Sequence, residues 1–139
     1  NRGVTLRAGG GGVNVGSGLT VSLGGPVTAF AGESGTFTKT GGGLLYLLAA
    51  NDYTGPTVVS AGTLSVGGSL ATSGVLGAAG ALTATPSIAV ASGATFRLDN
   101  TFAAANPNNN TARVADTTTL SLTAAGFELV YPRRHAQMT

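Results

Sequence analysis

Glycine recurs every few residues along the chain, 23 times in 139 positions, without the three-residue period of collagen. Inside a helix each glycine costs about 0.5–1 kcal/mol relative to alanine, so this spacing excludes helical bundles. Between the glycines lie short β-branched runs: Val27-Thr28-Ala29-Phe30, Thr57-Val58-Val59 and Ser87-Ile88-Ala89-Val90. They open on Pro26, Pro56 and Pro86, which stand 30 residues apart twice over. A small-residue turn and a second run follow each: Ser34 to Thr38, Ala61 to Val66, and Ser92 to Leu98. Gly18 to Leu23, Thr119 to Leu122 and Gly126 to Val130 rhyme less closely, so the array is expected to reach both ends.

In these runs apolar residues alternate with Thr, Ser or Lys, as in Leu19-Val21-Leu23, Leu64-Val66, Phe96-Leu98 and Leu120-Leu122. Alternation with period two marks half-buried strands. A proline at a strand start removes no ladder donor, and glycine supplies tight corners. Asn-Gly hairpin signals are missing from the sequence, which disfavours a sandwich. The pattern predicts an all-β solenoid of about five to six coils, in which each coil stacks on the one before. Residues 1–131 form one such domain, with Pro26, Pro56 and Pro86 as coil starts and 132–139 as a tail.

Charged residues make up only 9% of the chain, seven basic and five acidic. Identical charges stacked up a ladder would repel, whereas stacked Thr, Ser and Asn can hydrogen-bond. The basic residues are scattered, and without a clustered phosphate-tracking surface nucleic acid is not an expected partner. The longest apolar run, Leu44 to Ala50, is far short of the roughly 18 residues of a transmembrane helix. No cysteine is present, which removes disulfides and thiol chemistry. The chain starts at Asn1 without a leader pattern, as expected of a processed chain or a piece of a longer one.

One segment carries more than a rhythm. It runs Thr36-Phe37-Thr38-Lys39-Thr40-Gly41-Gly42-Gly43-Leu44-Leu45-Tyr46-Leu47, then Asn51-Asp52-Tyr53-Thr54-Gly55, then Thr57-Val58-Val59-Ser60-Ala61-Gly62-Thr63-Leu64-Ser65-Val66-Gly67. It resembles the autotransporter-associated β-strand repeat, whose form is roughly L-x-K-x-G-x-G-x-L-x-L, N-x-Y-x-G and T-x-V-x-x-G-x-L-x-V. The matching residues are Lys39, Gly41, Gly43, Leu45, Asn51, Tyr53, Gly55, Val58, Gly62, Leu64 and Val66, while Phe37 stands for the first Leu and Pro56 for a common Gly. Residues 94–100 and 113–122 resemble, more loosely, the segments between such repeats in large bacterial surface proteins. The resemblance implies a right-handed parallel β-helix, exported and displayed outside a bacterial cell as passenger stalk. No catalytic residue or cofactor comes with it.

An enzyme on such a scaffold would need paired carboxylates or a carboxylate cluster. Glu33, Asp52, Asp99, Asp116 and Glu128 are isolated in sequence, and Asp52 and Asp99 read as turn formers beside Asn51 and Asn100. His135, the one histidine, lies in the tail. No catalytic residue, metal ligand or cofactor is therefore expected. Asn106, Asn108, Asn109 and Asn110 form a polar protrusion and a candidate contact loop. Tyr46 and Tyr53 read as packing residues rather than a sugar platform, and Leu64 and Val66 interrupt any continuous Thr face. The expected function is a non-enzymatic extracellular stalk or filament subunit, joined head to tail with itself or with further repeats through open coil edges. The alternative is a carbohydrate-active enzyme or a module that binds surface glycans.

Overall fold

The computed structural model describes residues 2–68, 80–99 and 113–130. Among them there is no helix, and fourteen strands follow one another. They are β1 (Val4–Leu6), β2 (Gly11–Asn14), β3 (Thr20–Leu23), β4 (Val27–Ala29), β5 (Phe37–Thr40), β6 (Leu44–Leu47) and β7 (Ala50–Asn51). After these come β8 (Thr57–Val59), β9 (Thr63–Val66), β10 (Ala81–Leu82), β11 (Ser87–Val90), β12 (Thr95–Asp99), β13 (Thr119–Leu122) and β14 (Gly126–Val130).

All pairing between these strands is parallel. One five-stranded sheet has the order β2-β5-β8-β11-β13, and a second has the order β3-β6-β9-β12-β14. A third face is built from the pairs β1-β4 and β7-β10, extended by a parallel bridge from Leu82 to Val114. The chain passes from the third face to the first sheet, then to the second, and returns one strand further on. This cyclic progression is the strand pattern of a solenoid, and it explains why the bonds between strands join residues far apart in sequence although the strands are short.

The period-two pattern now has a physical meaning. Val21, Leu45, Leu64, Phe96 and Phe127 occupy one ladder of the second sheet, and Leu23, Leu47, Val66, Leu98 and Leu129 the next inward one. Interior members such as Leu45, Leu47, Leu64 and Val66 are fully buried. They join Val59, Ile88 and Val90 of the first sheet and Val27 and Leu82 of the third face in a single core. Burying each such side chain contributes about 1.5–3 kcal/mol, which identical stacked positions supply coil after coil.

The thirty-residue beat is not the true coil period. Matched positions in the first sheet run Gly11, Phe37, Thr57, Ile88 and Leu120, so successive steps are 26, 20, 31 and 32 residues. Pro56 and Pro86 do precede neighbouring strands of that sheet, β8 and β11. Pro26 precedes β4 on the third face, so its spacing to Pro56 joins two different faces. Likewise Phe37 to Thr40 belongs with β8 in the first sheet, not with Ala61 to Val66 in the second. Glycines at the corners let adjacent backbones close in. At Gly55 an added Cβ would lie 2.1 Å from the Gly35 carbonyl oxygen, and at Gly62, where φ is +66°, 2.4 Å from that of Gly43.

Candidate functional site

Most of the repeat residues point into the solenoid and hold adjacent coils together. Lys39 lies in an otherwise apolar ladder, between Val13 and Val59, and is fully buried. Its ammonium donates to the carbonyl oxygens of Thr40 at 2.9 Å, Gly41 at 2.7 Å and Ala61 at 3.1 Å. Two of these belong to its own corner and one to the corner of the next coil. Burial pushes the lysine below its ordinary pKa of 10.5. Three carbonyl acceptors match the three N–H donors of the charged form, so each donor is satisfied. Gly41 makes the corner possible: its φ is +74°, and a Cβ there would lie 2.3 Å from the Val15 carbonyl oxygen.

Asn51 plays the same part at the third face. Its Oδ1 accepts from the Val27 amide at 2.8 Å, and its Nδ2 donates to the carbonyls of Ala49 at 2.7 Å and Ala81 at 3.0 Å. One buried amide thus ties three successive coils. Tyr53, also buried, packs on Phe37 with ring centroids 5.6 Å apart, and its hydroxyl lies 2.6 Å from Thr57 Oγ1. Thr57 continues to Thr85 Oγ1 at 3.1 Å, and Thr85 donates to the Gly55 carbonyl at 2.9 Å. Burial raises the Tyr53 phenol from 10 to about 12, against the opposing effect of its bond to Thr57. Gly43, Leu45, Gly55, Gly62, Leu64 and Val66 fill corners and inward ladders as the repeat pattern requires. Val58 does not: it is half-buried, while its neighbour Val59 is fully enclosed and forms the core contact.

Of the acids, Glu33 pairs with Arg7 at 3.6 Å and Glu128 with Arg97 at 2.6 Å. Asp99 is not a surface turn former but the nearly buried last residue of β12, beside Arg113. Arg113 is itself 8% exposed and donates to the carbonyls of Asp99 at 2.6 Å and Val66 at 3.3 Å. Among the described residues no three His, Cys, Asp or Glu side chains gather in a metal-binding group. Asn106, Asn108, Asn109, Asn110 and His135 lie outside the described residues.

The two ends of the stack differ from its middle. In β14, Phe127 is 40% and Leu129 49% exposed, although Phe96 at the matched position one coil earlier is 1% exposed. In β13, Leu120 and Leu122 are likewise exposed, above the buried Ile88 and Val90. At the other end Val4, Leu19 and Val21 are exposed. Among the described residues, the outer edges of β13 and β14, and of β2 and β3, carry no neighbouring strand. The buried arginine and the Thr57–Thr85 chain had no sequence signal beyond residue type, since only the fold brings their partners together.

Fold and motif residues thus agree on one architecture, parallel sheets stacked coil on coil with most motif residues turned inward. Residues 37–66 match the family model of the passenger-associated-transport-repeat, so the chain carries an autotransporter-associated repeat. Comparison with curated proteins and with solved structures finds no match.

Proposed function

We propose that this chain is a non-enzymatic structural element of a bacterial surface or secreted protein, a right-handed β-solenoid of five coils whose ends stack onto further coils. The observation that carries this reading is the exposure of core-type side chains on the last coil: Phe127, Leu129, Leu120 and Leu122 occupy ladder positions that are filled in the coil before. Covering each half-exposed side chain is worth about 1 kcal/mol, and a docked strand would add backbone bonds along two edges. The passenger-type repeat at 37–66 supports an exported location, because that repeat names a transported passenger. No helix among the described residues is long and apolar enough to cross a membrane.

A second copy is the occupant proposed for the open end, with its β2 and β3 edges set on β13 and β14. Both ends present parallel edges and apolar inward positions, so one coil's ladder continues into the next. The test is light scattering over a range of concentrations, joined with electron microscopy. Growth in mass with concentration and narrow fibres are expected. A chain that stays monomeric and forms no fibres overturns self-assembly.

A further inference from the structure

The corner between β4 and β5 is longer than its counterparts. Ten residues separate Val27 from Phe37, whereas seven separate Val4 from Gly11 and six separate Leu82 from Ile88, at positions matched by the pairing. Asn51 to Thr57 and Val114 to Leu120 likewise need six. Stacking therefore does not require the extra residues, which bring Phe30 to Ser34 to the surface. They wall an open groove of about 450 Å³ together with Asp52 and Thr54 of the next coil.

The groove's side chains are held in place across three coils. The Arg7 guanidinium sits 3.6 Å from the centre of the Phe30 ring, and Arg7 also pairs with Glu33, whose carboxylate accepts from the Ala8 amide. Phe30 as a whole stays 42% exposed and lines the groove. Ser34 and Thr54 place their hydroxyls 3.1 Å apart, and Thr54 donates to the Glu33 carbonyl at 3.2 Å. Asp52 is exposed on the same groove. An aromatic surface fixed by a cation, a carboxylate acceptor and a hydroxyl pair, along an open groove, is a combination suited to a ligand with one apolar face and many hydroxyls.

We propose that this groove binds a neutral saccharide, with sugar C–H groups against Phe30 and sugar hydroxyls donating to Asp52 and exchanging hydrogen bonds with Ser34 and Thr54. Asp52 is exposed on the groove while the Glu33 carboxylate is engaged by Arg7 and the Ala8 amide, so it is the Asp52 charge that disfavours uronate or sulfated sugars. The site lies on the side of the stack, so it stands or falls independently of end-to-end assembly.

Saturation-transfer NMR observes the free sugar and works on monomer and fibre alike. Probes are maltotetraose, cellotetraose, mannotetraose and N-acetylchitotetraose, with a heparin oligosaccharide as the anionic comparison. At least one neutral probe is expected to show saturable transfer to its ring C–H protons with a Kd of about 1 mM. Phe30→Ala and Asp52→Asn, both at exposed positions, should each weaken it about tenfold with an unchanged circular-dichroism spectrum. No saturable transfer from any neutral probe, binding equal in both variants, or preference for the heparin fragment overturns the proposal.

Discussion

Replacing Lys39 with methionine tests whether the repeat's lysine is an internal staple. Methionine keeps a similar length and volume in the ladder between Val13 and Val59, so no large cavity opens. What goes is an ammonium bound to three carbonyl oxygens at 2.7–3.1 Å. The Thr40 carbonyl keeps its bond from the Val15 amide, but no backbone amide among the described residues serves those of Gly41 and Ala61. An unsatisfied buried acceptor costs about 1–3 kcal/mol, so two cost about 2–6. Relief of the ammonium's own desolvation offsets part of this. The expected net loss for Lys39→Met is about 3 kcal/mol, a large share of the 5–15 kcal/mol typical of a domain. Urea unfolding at neutral pH measures it as a lower midpoint with an unchanged slope. A variant as stable as the parent, or more stable, would refute the staple and leave the lysine without a structural reason.

Asn51→Ala removes the amide that ties Val27, Ala49 and Ala81, and should destabilise by about 2–4 kcal/mol in the same assay, whereas exposed Asp52→Ala should cost under about 0.5. Tyr53 carries a sign that pH can read: its folded pKa of about 12 lies above the unfolded value of 10, so its contribution is complete below pH 10 and is lost as pH rises toward 12. Two units correspond to about 3 kcal/mol, and Tyr53→Phe should remove this alkaline loss as followed by unfolding midpoint and tyrosinate absorbance. Gly41→Ala, at φ +74° and 2.3 Å from a backbone oxygen, should cost more than the roughly 1–2 kcal/mol of the left-handed conformation alone, measured by thermal unfolding.

Strand positions were legible because alternation and glycine corners are local. The short runs at Thr57–Val59, Thr63–Val66, Thr119–Leu122 and Gly126–Val130 all appear as strands. Which strand stacks on which was not legible: Pro26 and Pro56 share a spacing and a following β-branched run, yet stand on different faces. Coil length depends on how far each corner loops outward, and steps of 20 and 31 residues coexist in one sheet. What the motif residues do was not visible in the sequence. Lys39 and Asn51 turned out to lie inside, because each finds partners on neighbouring coils, whereas Tyr53 was legible as a packing residue. The repeat's inward valine is Val59 rather than Val58, which only the strand's facing decides. Asp99 beside Arg113 has the same cause, since the partners are 14 residues apart and meet only through the fold.

Whether the stack continues beyond its last coil is read by sedimentation velocity of the parent chain beside the double variant Phe127→Asp, Leu129→Asp. The two aspartates replace inward positions that are 40% and 49% exposed, so the variant should fold while its open end no longer accepts a strand. The parent is predicted to sediment as elongated species that grow with concentration, and the variant as a monomer. A parent that sediments as a monomer at every concentration, or a variant that assembles equally well, would contradict continuation of the stack.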